Sequence, residues 1–285
     1  MVQFPNDTTT RAERVHLAGV KSSRPVPVLF MHSSITLLIP GVCHDRVRAM
    51  TNSMTPLSGQ SRFAEPRDVE HIETWIFDLD NTLYPAQCKL FDQVDRKIGE
   101  YVASFFEIDQ ETARGRQKEF FHTHGSTLRG MMLLHDMEPD DYLDYVHDID
   151  LSPVDPDPLL DEVLTRLPGR KLIFTSATTA HAERVMARLG VDHHFEVIFD
   201  VVAAEYTPKP HAVTYERLLT EHAVDPKVSV FFDDIPRNLK PAAEIGMTTV
   251  WIPGHHRWAQ PEDDGDYIHF VAEHLAGWLD IAVPS

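Results

Sequence analysis

Two acids separated by one residue, Asp78 and Asp80, follow the short apolar run Trp75-Ile76-Phe77. The run reads as a buried strand. On a strand, residues i and i+2 share a face. Two carboxylates there repel unless a cation lies between them, and a hard ion such as Mg²⁺ takes oxygen ligands of this kind. The competing account makes Asp80-Asn81 a turn and Asp78 a helix cap, places that Asp and Asn favour. Three further clusters tell against it. Thr175 and Ser176 end the apolar run that starts at Lys171 and precede a helix. Their hydroxyls suit phosphate oxygens, although N-capping would use the same residue types. Lys209, in Thr207-Pro-Lys-Pro-His211, can neutralise a phosphate as a point charge, and Pro210 suits the first turn of the helix after it. Asp233 and Asp234 end the run Val228–Phe232. Neighbours on a strand face opposite ways, so Asp233 is expected to meet a metal squarely, with Asp234 supporting it or acting through water.

The elements that must position these residues alternate in type. Helices are expected at Leu159–Leu167, Thr179–Leu189, His211–His222, Pro236–Ile245 and Ile268–Ile281. Strands are expected at Lys171–Thr175, Val197–Phe199, Val228–Phe232 and Thr248–Ile252. Such alternation implies a doubly wound α/β fold, a parallel sheet with helices on both faces. Ligands of open α/β sheets bind beyond the carboxyl ends of the strands, where all four clusters fall. Between the first strand and the proline-rich link Leu151–Pro158 the texture is helical instead. Phe91, Val94, Ile98, Val102 and Phe105 recur at helical spacing, which makes one apolar face. The domain expectation is therefore a core of residues 71–87 and 158–285, a helical cap of 88–157, and a poorly ordered extension of 1–70. Met50 or Met54 would be an alternative start.

The net charge is −18, and the acid excess lies beyond residue 70. Such a body repels nucleic-acid phosphates and anionic membranes, so neither is an expected partner. No continuous apolar span of about 20 residues is present to cross a bilayer. The two cysteines, Cys43 and Cys88, have no metal-ligand spacing, and a reduced, cytoplasmic compartment is expected.

Taken in order, Asp78-Leu-Asp80-Asn-Thr82, Thr175-Ser176, Lys209-Pro210 and Asp233-Asp234 resemble the four motifs of the haloacid dehalogenase-like hydrolases. Within that superfamily the chain is most similar to the pyrimidine 5′-nucleotidases. Phe77–Tyr84, His124-Gly-Ser-Thr-Leu-Arg-Gly130, Phe174-Thr-Ser-Ala177, Lys209-Pro-His211 and Phe232-Asp-Asp234 with Asn238 carry the likeness. Ser176 departs from it, because the family more often has Asn there.

The resemblance implies a Rossmann-like core with a helical cap and a Mg²⁺-dependent phosphomonoesterase acting through an aspartyl-phosphate. Asp78 would be the nucleophile and Asp80 the general acid and base. Mg²⁺ would be held by Asp78, the Asp80 carbonyl and Asp233, with Thr175 and Lys209 stabilising the phosphoryl charge. The expected substrate is a small phosphomonoester, a nucleoside monophosphate, met in the cap by Ser126, Thr127 and Arg129, whose donors suit sugar hydroxyls and base carbonyls. A sugar phosphate or phosphoglycolate phosphatase is the alternative, and a non-catalytic phospho-ligand binder a third. An acid at position 80 speaks against a dehalogenase, which has no leaving alcohol to protonate.

Overall fold

The computed structural model describes residues 69–254, 260–261 and 265–283. The expected extension lies, up to residue 68, outside the described residues. Six parallel strands form one sheet in the order β3-β2-β1-β4-β5-β6. They are β1 (Thr74–Phe77), β2 (Arg170–Phe174), β3 (Val197–Phe199), β4 (Ser229–Asp233), β5 (Thr248–Trp251) and β6 (Phe270–Val271). The chain winds outward from β1 in one direction through β3 and in the other through β6. The reversal falls between β1 and β4, the topological switch point where a crevice opens above the strands.

The side-chain period of two builds the layers. Trp75, Phe77, Val230 and Phe232 face one side, where α5 (Pro158–Arg166), α6 (Thr179–Leu189) and α9 (Leu275–Ala282) pack. Ile76, Leu172, Phe174 and Phe231 face the other, against α7 (Ala212–Glu221) and α8 (Pro236–Glu244). Phe77 and Phe232, register partners across β1 and β4, stack with ring centroids 4.7 Å apart. Every residue of β1 and β4 is buried. At about 25 cal/mol per Å² of apolar surface, these strands are among the strongest contributors to burial, and they fix the floor of the crevice.

Between β1 and α5 the chain makes α1 (Leu90–Phe106), α2 (Gln110–His124), α3 (Thr127–His135) and α4 (Pro139–His147). Val94, Val102, Ala113, Phe120, Leu128, Met131 and Tyr142 form their own apolar cluster, which Val201 from the loop after β3 joins. The sequence reading missed one strand. Residues 268–281 were expected to be a single helix, but β6 comes first and α9 begins only at Leu275. Ile268, Phe270 and Ala272 are buried while His269 is exposed. That strand-like alternation is too short to stand out beside the helix that follows. Among the described residues no helix is long and apolar enough to cross a membrane.

Candidate active site

β1 stops at Phe77, so Asp78 and Asp80 lie in the turn beyond it, where strand alternation no longer governs direction. Asn81 accepts a left-handed backbone there, φ 61°, which Asn tolerates better than most residues. The two carboxylates consequently part company, each with its own hydrogen-bond partner. Asp78 Oδ1 accepts from Lys209 Nζ at 2.7 Å. Asp80 Oδ1 turns to the Tyr84 hydroxyl at 2.6 Å.

Lys209 is buried and donates three ways: to Asp78, to Asp233 Oδ2 at 2.8 Å and to the Phe174 carbonyl at 2.9 Å. The rings of Phe174 and Phe231 flank its ammonium at 4.9 and 5.2 Å. Pro210 is not in the first turn of α7, which begins at Ala212 after His211; the loop ahead of the helix delivers Lys209 instead.

Asp233 and Asp234 differ in what holds them. Asp233, the last residue of β4, is engaged on both oxygens, by Lys209, by Asn238 Nδ2 at 3.0 and 3.1 Å, and by the Ile235 N–H at 2.8 Å. No described residue donates to the Asp234 carboxylate, which sits one residue past the strand. A ligand oxygen from each of Asp78, Asp233 and Asp234 lies within 4.8 Å of the others, and all three residues are buried. Ionised together, three carboxylates beside one ammonium would leave two negative charges uncompensated.

The proton affinities record that imbalance. Burial pushes Asp78 up to about 7, with Lys209 opposing and Asp233 and Asp80 adding to the rise. Burial and the neighbouring acids raise Asp234 well above the usual range. Burial disfavours a charge on Lys209, but Asp233 and Asp78 outweigh it and hold the ammonium above its ordinary range. Burial would likewise raise Asp80, yet His181 and Tyr84 prevail and hold it below the usual value. The donor set fits a divalent cation: hard oxygen ligands, clustered, with an excess of two negative charges.

The acid closing β3 shows the contrast. Asp200 is also buried, but its oxygens accept from the backbone of Thr179, Val202 and Ala203 and from the Thr179 hydroxyl. It holds Thr179 at the start of α6 and the turn after β3, and has nothing left for a ligand. Thr175 is buried at the end of β2, its hydroxyl accepting from Ala177 N–H at 3.0 Å, and Ser176 beside it is exposed. Thr178, rather than either of them, caps α6.

Each of the three expected cap contacts has a partner within the protein. Ser126 Oγ caps α3 by accepting from Arg129 N–H. Thr127 is buried and gives its hydroxyl to the Gln117 carbonyl at 3.2 Å. Arg129 Nη1 reaches Thr207 Oγ1 at 2.6 Å and the Tyr206 carbonyl at 3.3 Å, so it spans from α3 to the loop that carries Lys209. Beside it Gly125 closes α2 with φ 85°. A Cβ there would come within 2.9 Å of Pro208 Cγ and 3.4 Å of His211 Nε2.

Sequence reasoning passed over three side chains around Asp80. Tyr84 stands four residues after it, His181 on α6, and His147 at the end of α4. His181 was detectable: it heads the stripe Ala182, Val185, Met186, Leu189 that α6 buries, and an imidazole on such a stripe calls for a partner.

A family model described as haloacid dehalogenase-like hydrolase matches residues 72–246. Among similar solved structures, a variant of CbbY from Rhodobacter sphaeroides in complex with xylulose 1,5-bisphosphate is 17% identical, with a TM-score of 0.52, covering 73% of this chain and 99% of that one. The putative hydrolase YfnB from Bacillus subtilis, bound to magnesium, is 13% identical with a TM-score of 0.50, covering 74% and 98%. A dehalogenase is 15% identical with a TM-score of 0.50, covering 76% and 99%. At these identities the likenesses speak for the fold alone.

Proposed function

The chain belongs to the haloacid dehalogenase-like hydrolase family, and within it we propose a Mg²⁺-dependent phosphomonoesterase whose substrate is a nucleoside 5′-monophosphate, preferably a pyrimidine one. One observation carries the phosphatase reading: two carboxylates of the same turn are held for different work. Asp78 lies against Lys209 and the acidic cluster, whereas Asp80 is held apart by Tyr84. A nucleophile and a separate proton carrier are what ester hydrolysis through a covalent intermediate requires.

In this reading the Asp78 carboxylate attacks phosphorus and the ester oxygen departs with a proton from Asp80, leaving an aspartyl-phosphate. Water then gives a proton to Asp80 and attacks phosphorus, which frees Asp78 and releases phosphate. Asp80 rests ionised; an arriving phosphate adds negative charge nearby and raises its proton affinity, so that it takes up from solvent the proton it then gives to the leaving oxygen. Lys209 faces the charge that develops on the phosphoryl oxygens and keeps Asp78 oriented. Thr175 and Ser176 stand at the neighbouring strand end as further phosphate contacts. Asp78 and Asp234, with Asp233 behind them and the Asp80 carbonyl beside them, would hold Mg²⁺. The ion would neutralise the transferring phosphoryl group and the excess acid charge.

The four helices α1–α4 act as a cap that excludes water from the crevice. Pyrimidine nucleotides are favoured on the likeness carried by 77–84 and 124–130. The commitments of Ser126, Thr127 and Arg129 keep a sugar phosphate as the second reading. A turnover screen with MgCl₂ across UMP, CMP, AMP, GMP, hexose phosphates and phosphoglycolate tests both. Preference for UMP or CMP supports the nucleotidase, preference for a non-nucleotide ester retires it, and no Mg²⁺-dependent turnover of any ester retires the phosphatase.

A further inference from the structure

His181 is the least satisfied polar side chain in the described core. Its ring is fully buried on α6, and neither Nδ1 nor Nε2 has a hydrogen-bond partner. Leaving buried polar atoms unpaired is unfavourable, so an imidazole kept only for packing would be a poor choice beside Phe or Leu. Its Nε2 lies 3.7 Å from Asp80 Oδ1, just beyond hydrogen-bond length. This is the same oxygen that takes the Tyr84 hydroxyl. From the other side the ring of His147, on the helical insertion, stacks on His181 with centroids 4.5 Å apart and planes 23° from parallel. His147 is held in turn by Thr178, whose hydroxyl lies 3.4 Å from Nδ1, and by Arg184, which donates to its backbone carbonyl.

We propose that His181 is a positioning residue for Asp80: with its proton on Nε2 it closes the remaining gap to Oδ1 and, together with Tyr84, aims the carboxylate at the leaving-group oxygen. Two donors on one oxygen leave Oδ2 as the atom that carries the proton. The stack with His147 makes the aim depend on the seat of the insertion, because a ring supplied by α4 braces a ring on α6. The same contact gives Asp80 one geometry with the insertion seated and a looser one with it withdrawn. The proposal rests on the phosphatase reading above and adds a residue to it.

The test compares kcat/KM for phenyl phosphate and p-nitrophenyl phosphate, which are similar in size. Phenolate needs a proton to leave, and p-nitrophenolate needs it far less. The ratio within one preparation is independent of its folded fraction. His181→Phe keeps the ring and the stack but removes the nitrogens. It should depress the phenyl ester about tenfold more than the p-nitrophenyl ester, a modest part of the ~10²–10⁴-fold worth of a general acid. His181→Gln, whose amide can donate from nearly the same place, should restore most of the ratio. Asp80→Asn should shift the ratio in the same direction, and adding His181→Phe to it should shift it no further. An unchanged ratio in His181→Phe, or equal losses on both esters, overturns the positioning role while Asp80→Asn still reports an intact phosphatase. A wild-type protein that hydrolyses neither these esters nor any nucleotide or sugar phosphate of the screen would retire the phosphatase reading instead.

Discussion

Lys209 Nζ and Asp78 Oδ1 lie 2.7 Å apart although 131 positions separate them in the chain. The ammonium also holds Asp233, so one buried cation ties the ends of β1 and β4 together at the switch point of the sheet. Removing it leaves acids buried without their counter-charge, a loss of about 3–5 kcal/mol for a broken buried pair. Lys209→Met should therefore lower the urea midpoint sharply as well as abolish turnover. A variant as stable as the wild type would show that the carboxylates are neutralised without the lysine.

Asp78→Asn is nearly isosteric, and its amide oxygen can still accept from Lys209. It removes the attacking carboxylate and one of the clustered negative charges. Turnover should fall by about 10³-fold or more, with an unchanged or higher Tm. Substantial residual activity in the purified variant would exclude Asp78 as the nucleophile.

Protons and Mg²⁺ compete for the same carboxylates. Asp78 is raised to about 7 in the folded chain. Between its ordinary value and about 7 the folded state therefore binds a proton that the unfolded state lacks, and this part of the stability declines as pH rises. The metal takes over where the proton leaves. The Tm gain from MgCl₂ should be largest near pH 8 and fade as pH falls through about 7. Equal gains at pH 5 and pH 8 would mean that the ion binds elsewhere.

His147 shows the opposite sign. Burial, with His181 and Arg184 adding to it, lowers it from 6.5 to about 4. Between those values the unfolded chain binds the proton that the folded chain refuses, so the contribution is present above about 6.5 and is lost on acidification. The full window is worth at most about 3 kcal/mol. His147→Gln should flatten the fall in unfolding free energy between pH 6.5 and 4.5. The same slope in both proteins would assign the acid sensitivity to other groups.

Arg129→Ala removes the span from α3 to Tyr206 and Thr207. Because that span serves the loop of Lys209, kcat/KM should fall by a similar factor, several-fold, for a nucleotide and for a small aryl phosphate. A loss confined to the nucleotide would restore Arg129 as a substrate contact.

What the sequence made legible followed from periodicity and from residue chemistry at strand ends. The bounds expected for α6, Thr179 to Leu189, and for β3, Val197 to Phe199, are those observed, since Gly190 stops the one and the three-residue apolar run bounds the other. The directions of Asp80 and Asp234 were not legible. Both lie just past the last hydrogen-bonded strand residue, where the turn and its neighbours decide direction and alternation does not. His147 and His181 could not be paired in advance either, because the stack joins two helices that meet only once the insertion folds back over the sheet. The two-residue β6 lies below the length at which an alternating pattern can be recognised.

Gly125 holds a last consequence. The insertion rests close to Pro208 and His211 at a place where even a methyl group would collide. Missing atoms at Gly125 thus help to set the spacing that the Arg129 span and the His147–His181 stack hold. Alanine at this position would act as a shim, set into a left-handed turn that also resists it. It would prop the jaws apart without touching a group that does chemistry. A single hydrogen-for-methyl exchange would then serve as a dial on how far the mouth of the crevice stands open.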